Sequence, residues 1–347
     1  MIEPIPQNAR MLRLDQISAL YDLVRGAEGG RIGPADGLAR LRAIRSMRPR
    51  HGRFVVALSY TLITVAFCLI LRPAPADVLI AAGLGALVGT LTALTENRPA
   101  FAVFAPVVAA TVVSALSFLA LRYGLAEPGL RTLIAPLVTF LPGAALTTAT
   151  VELASGEVVA GASRLVSGTV QLLLLAFGIV AGAELAGLSG ADVPTDQEVN
   201  LLGWWAPWLG VLLFGIATAV HLSAPRGALR WLLAVLAVAW VGQLWGGELI
   251  GQDAKGFVGA LAMTPVALGV SRLPGGPPSQ VTFLPAFWLL VPGAIGLIGV
   301  TEAVGNPAAA PLQDLVAPLA SIVAIALGVL CGVALDGALA HLTRRGR

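Results

Sequence analysis

The sequence predicts an all-α polytopic membrane protein: ten transmembrane helices forming two inverted five-helix repeats, preceded by short cytosolic helices. Three observations predict this. The 347 residues are 57% hydrophobic and only 12% charged, with a mean hydropathy of +0.85, whereas a soluble domain carries roughly twice that charged share. Apolar runs recur at about the length that crosses the hydrocarbon core of a bilayer. Finally, a motif in the first half returns 150 residues later, at positions 142 and 292.

Residues 1–53 form a cytosolic amphipathic segment. They are polar and Arg-rich, so no signal peptide is expected before the first apolar run. Ile17, Leu20, Tyr21 and Val24 share one helical face, which GAEGG ends; Pro34 suits the start of a second helix, lined by Leu38, Leu41 and Ile44. A basic amphipathic helix beside a membrane lies against the headgroups. Nucleic acid is not an expected partner, because arginines are what cytoplasmic loops carry.

The first repeat, 54–190, holds spans at 54–71, 78–95, 101–121, 132–151 and 165–183. The second, 201–342, holds spans at 201–222, 228–245, 257–270, 283–300 and 315–340. With the N-terminus in the cytoplasm, eighteen of the 22 Lys and Arg residues fall on that side, leaving Arg72, Arg122, Arg131 and Lys255 outside. The positive-inside rule therefore sets the orientation, and an even span count returns the C-terminus to the cytoplasm. The loop at 184–200 agrees, with Glu184, Asp192, Asp196 and Glu198 and no basic residue. Trp204, Trp205 and Trp208 fit an aromatic belt at the outer surface. Glu184, Gln243, Glu248 and Asp336 fall at or near span ends, where solvation is expected. His221 and His341 flank spans on the cytoplasmic side. Cys68 and Cys331 each stand alone in an apolar run and suit packing; no metal site is expected.

The motif itself is LPGAALTTATVELASG, residues 141–156. A helix in lipid has no local reason to combine a breaker, three hydroxyls and a carboxylate. PGAALTTATVE (142–152) aligns with PGAIGLIGVTE (292–302), and the same ungapped offset maps Gly178 and Gly182 onto Gly328 and Gly332. Five spans per unit force the second unit to enter from the opposite side, the inverted plan of many secondary transporters. Proline removes a backbone donor and glycine tolerates a bend. Broken backbone in the hydrocarbon region survives only where protein or a water-filled cavity covers its freed groups.

A half-helix starting at Pro142-Gly143 or Pro292-Gly293 would aim N–H groups at a substrate carboxylate. Thr147, Thr148 and Thr150 offer hydroxyls to a zwitterion, and Arg164 offers a guanidinium. Glu152 and Glu302, if buried, are candidates to exchange a proton with solvent. Each feature also has a plainer reading: a packing kink, threonines bonded back to their own helix, interfacial carboxylates and an arginine anchored at the inner surface. The GxxxG pairs, including Gly85 and Gly89, suit close helix contacts.

The run LPGAALTTATVELASGEVVAGASRL (141–165) resembles the signature of the threonine/serine exporter family. FLPAFWLLVPGAIGLIGVTE (283–302) is similar to the corresponding stretch of that family's second half, and the run from Leu14 to Arg50 to its pre-membrane segment. The resemblance implies ten spans in two homologous halves. It also implies export of threonine and serine across the cytoplasmic membrane, driven by the proton motive force. Carried over residue by residue, it covers Pro142, Gly143, Thr147, Glu152 and Arg164 in the first motif and Pro292 and Gly293 in the second. The pre-membrane region is shorter than is usual in the family. The second half also lacks the threonine cluster, with GAIGLIG in place of GAALTTA, so any site is asymmetric.

The expected function is thus secondary export of small polar amino acids by proton antiport, with the small molecule, protons and the lipid bilayer as partners and no cofactor. Export of a dicarboxylate such as succinate is the alternative. An enzyme is not expected: there is no HExxH, no GxSxG, no paired aspartates within spans and no histidine in a span interior. A homo-oligomer is left open.

Overall fold

The computed structural model describes residues 12–95, 104–125, 131–188, 201–251, 255–290, 297 and 312–345. Among these residues the regular structure is helical throughout. Two short helices come first, α1 (Leu14–Glu28) and α2 (Pro34–Arg45). Then follow α3 (Arg53–Ile70), α4 (Pro75–Thr95), α5 (Ala105–Arg122), α6 (Arg131–Leu137), α7 (Gly143–Ala154) and α8 (Val158–Leu185). The remainder are α9 (Ala206–His221), α10 (Ala228–Leu249), α11 (Lys255–Arg272), α12 (Ser279–Leu289) and α13 (Leu312–Arg345).

Six of these are long and apolar enough to cross a membrane: α3, α4, α5, α8, α10 and the stretch Leu319–Leu339 of α13. The pair on either side of the break at residues 141–142 would make a seventh. The expected spans 201–222, 257–270 and 283–300 overlap α9, α11 and α12, which fall short in length or apolarity. Part of the 283–300 span, with Pro292, Gly293 and Glu302, lies outside the described residues.

Contacts in the first half recur in the second. α3 packs on α4 as α9 packs on α10, and α5 packs on α8 as α11 packs on α13. The glycines carry this correspondence to single residues. A Cβ on Gly178 would meet Val107 O and Ala110 Cβ, and one on Gly182 would meet Thr111 O and Ser114 Cβ. A Cβ on Gly328 would meet Phe257 O and Ala260 Cβ, and one on Gly332 would meet Leu261 O and Thr264 Cβ. Each neighbour of the second pair lies 150 positions after its counterpart. In both cases the two helices run parallel, at a backbone approach that only a missing side chain allows.

An arginine closes each pair at one end: Arg122 Nη1 donates to Ala186 O at 3.1 Å. Arg272 grips the Asp336 carboxylate at 2.8 and 2.5 Å. These four positions keep the same offset. Asp336 is buried rather than solvated, because the guanidinium replaces water. Gln243 is buried too, its amide donating to Leu289 O at 3.3 Å.

The halves meet along α3 and α9, which run antiparallel. Phe67 and Phe214 are fully buried there, ring centroids 6.1 Å apart, and Gly210 lies where a Cβ would abut Ala66 O. The apolar cluster around them takes residues from both halves, Ala81 and Val138 as well as Leu236, Met263 and Ile325.

The N-terminal helices are tied to the second half. Leu14 is fully buried beside Ala228 and Val281, and its N–H donates to Leu222 O at 2.9 Å. Gln16 Nε2 holds α2 through Ile44 O at 2.9 Å. Tyr21, Val24, Leu38 and Leu41 stay exposed, an apolar face on each N-terminal helix.

Candidate functional site

The broken span is built by two prolines. Pro136 sits inside α6, where it removes a donor and frees a carbonyl of the preceding turn. The chain tightens into a 3-10 turn, Val138–Phe140. Leu141 then turns extended, φ −67° and ψ 127°, as a residue before proline tends to do. Pro142 takes the cap position, and α7 starts at Gly143. The axes on either side differ by 54°. Among the two readings of Pro142-Gly143, the structure has a helix break.

The surroundings satisfy the freed groups. The Tyr60 hydroxyl, on α3, donates to Pro136 O at 3.0 Å and accepts from Thr139 Oγ1 at 2.5 Å. Gln171 Nε2, on α8, donates to Phe140 O at 2.6 Å. Tyr60 also lies edge-on to His221, ring centroids 5.9 Å apart, and His221 Nδ1 is 3.3 Å from Ser59 Oγ. A polar chain thus runs from the α3–α9 seam to the break. The helix before the break packs on α3, α4 and α5. Beyond the break, α7 packs on α8 and on α12 and α13 of the second half. The interruption therefore lies where the two halves meet.

Past the break, Thr147 and Thr150 donate to Gly143 O and Leu146 O at 3.1 and 3.0 Å. They bond back along their own helix, which occupies their protons and leaves oxygen lone pairs. Thr148 is exposed. Gly156, at φ 86°, turns α7 sharply into α8. Gly161 and Gly168 let the two helices close, since a Cβ at either would meet Leu153 or Leu146.

This hairpin brings together two residues twelve positions apart. Arg164 Nε donates to Glu152 Oε2 at 3.0 Å, and its Nη2 to Oε1 at 2.9 Å. The pair is two-pronged, the geometry that makes guanidinium–carboxylate contacts strong and specific. Its side chains are 47% and 21% exposed, Arg164 first, so the protein itself leaves the pair uncovered.

A family model supplies the remaining observation. The model ThrE, "Putative threonine/serine exporter", matches residues 4–186, more than half of the chain. The chain belongs to this threonine/serine exporter family. No curated protein and no solved structure matches it. The exporter match ends with α8, so it covers the N-terminal helices, the break and the Glu152–Arg164 pair. Export of a small molecule across a membrane is what membership in this family means for the chain.

Pro142, Gly143, Thr147, Thr148, Thr150, Glu152 and Arg164 thus fall on one hairpin beside the break. Sequence reasoning missed Tyr60, Thr139 and Gln171, and read His221 only as a residue flanking a span. Gln171 carried a signal, an amide deep inside an apolar run where polar side chains need partners. Tyr60 carried none, because its partners stand 76 and 79 residues away.

Proposed function

We propose that the chain is a secondary exporter of threonine, serine or a similar small amino acid in the cytoplasmic membrane. It works by proton antiport through ten spans in two inverted five-span repeats, 54–190 and 201–342, with both termini cytoplasmic. The paired glycine contacts at a constant offset support the repeat, and eighteen of 22 basic residues on one side support the orientation. The observation that carries the reading is the helix break at Pro142-Gly143, at the seam between the halves, at the head of the helix whose far end carries the Glu152–Arg164 pair.

A zwitterion can replace each ion of that pair as the other's partner, once the two-pronged contact opens. Its carboxylate takes the guanidinium of Arg164 and its ammonium takes Glu152, while the N–H groups at the start of α7, nine residues and about 13 Å along the helix, form a separate anion-binding end. A proton on Glu152 removes the ammonium's partner, so proton and substrate exclude each other, which is the condition for exchange. Arg164 is already matched by one carboxylate, which leaves a dicarboxylate short of positive charge and favours the amino acid. In the second half Pro292 and Gly293 join the substrate site and Glu302 the proton path, without a second ion pair, since Asp314 stands 150 positions after Arg164.

Labelled threonine loaded into proteoliposomes tests this. An imposed inward proton gradient is expected to accelerate its efflux over that from empty-lipid vesicles. Efflux equal to that of protein-free vesicles, for threonine, serine and succinate alike, would overturn the reading.

A further inference from the structure

A largely aromatic recess with one cation lies at the opposite end of the α3–α9 seam from His221. It has a volume of about 230 Å³ and is lined by Arg72, Trp204, Pro207, Trp208, Trp240 and Leu244. Pockets for drug-sized ligands run to roughly 300–1,000 Å³, so this one suits a molecule of amino-acid size. Arg72 comes from the turn after α3, in the first half; the other five residues come from the start of α9 and from α10, in the second. The recess therefore spans the seam.

Two features set it apart from an ordinary aromatic belt. Arg72 holds φ at 56°, closing α3 in the left-handed conformation that usually goes to glycine. An arginine there bears a backbone strain that glycine would not, and what it adds is a side chain. Trp240, 8% exposed, places its indole N–H where it has no hydrogen-bond partner among the described residues. A buried donor left unmatched is costly unless something accepts from it.

We infer that this recess is an outer binding site for a small α-amino acid, formed jointly by the two halves. The Arg72 guanidinium has five donors in a fixed fork and can hold a carboxylate while pairing elsewhere. Indole faces attract an ammonium group. The same faces repel a second carboxylate, so the recess selects a zwitterion over a dicarboxylate. The inference rests on the exporter reading, since it supplies the station from which substrate leaves.

The test is threonine exchange in proteoliposomes of known orientation, with Arg72→Lys and Trp240→Phe. Lysine keeps the charge and loses the fork; phenylalanine keeps a ring and loses the N–H. Each variant is expected to raise KM for external threonine about tenfold, the equivalent of one hydrogen bond to a charged group, while KM for internal threonine stays at the wild-type value. External KM unchanged in both variants would overturn the site and leave the exporter reading standing. Equal rises on both faces would overturn it as well, by making the residues structural. If the wild type exchanges no amino acid, the exporter reading fails, and quenching of tryptophan fluorescence by threonine decides the site alone: saturable quenching lost in Arg72→Lys supports it, and its absence in the wild type overturns it.

Discussion

In the proposed exchange, Glu152 and Arg164 are the residues on which coupling turns. Both were legible in the sequence as an intramembrane carboxylate and a nearby cation, but their pairing was not, because it depends on the turn at Gly156 and the close packing of α7 on α8. If the carboxylate is where proton and substrate compete, Glu152→Gln uncouples them. Stimulation of threonine efflux by a proton gradient should vanish in that variant while threonine–threonine exchange persists, as dual-label vesicle assays would record. Tyr60 makes a different contribution. Its hydroxyl is buried between Pro136 O and Thr139, so Tyr60→Phe strands a carbonyl and a hydroxyl away from water. A buried polar group left unsatisfied costs about 1–3 kcal/mol. Thermal unfolding in detergent should therefore move to lower temperature, and Thr139→Val made alongside Tyr60→Phe should recover part of the loss.

Among the elements, the interrupted span was the most legible. Pro142-Gly143 marked it in the sequence, and the residue before proline supplied the extended step. The contribution of Pro136 was hidden, because a proline six residues earlier reads equally as a kink. The start of α8 was also misplaced, at 165 rather than Val158. Arg164 looks like an interfacial terminator, yet the hairpin lets the helix begin before it. The GxxxG pairs read correctly as helix contacts, and the structure adds their partners. Gly182→Ala and Gly332→Ala should each destabilise the protein by about 1–3 kcal/mol, the usual cost of overpacking, since a Cβ meets Thr111 O in one and Thr264 Cβ in the other. Gly83→Ala is the control. Nothing lies within 4 Å of a Cβ there, and removing a helical glycine should leave the melting temperature level or higher.

At the scale of the molecule, the account is of two bundles that meet at a broken span. The proposed repeat shows in the sequence as a proline, a glutamate and two glycines in register. The packing of α6 on one half and α7 on both was not visible, because no local pattern encodes which neighbour a helix face meets. The orientation can be checked by single cysteines at Met47 and Arg344 in a background without Cys68 and Cys331: in intact cells, both should resist an impermeant thiol reagent.

The central claim is that α7, just past its broken start, faces a water-filled path that carries the substrate. Thr148→Cys, in the same cysteine-free background, tests it most directly. The reagent should label this position in inside-out vesicles, and threonine should slow the labelling in proportion to its occupancy. No labelling, or labelling at a rate that threonine leaves unchanged, would place Thr148 against lipid or inert solvent and contradict the account.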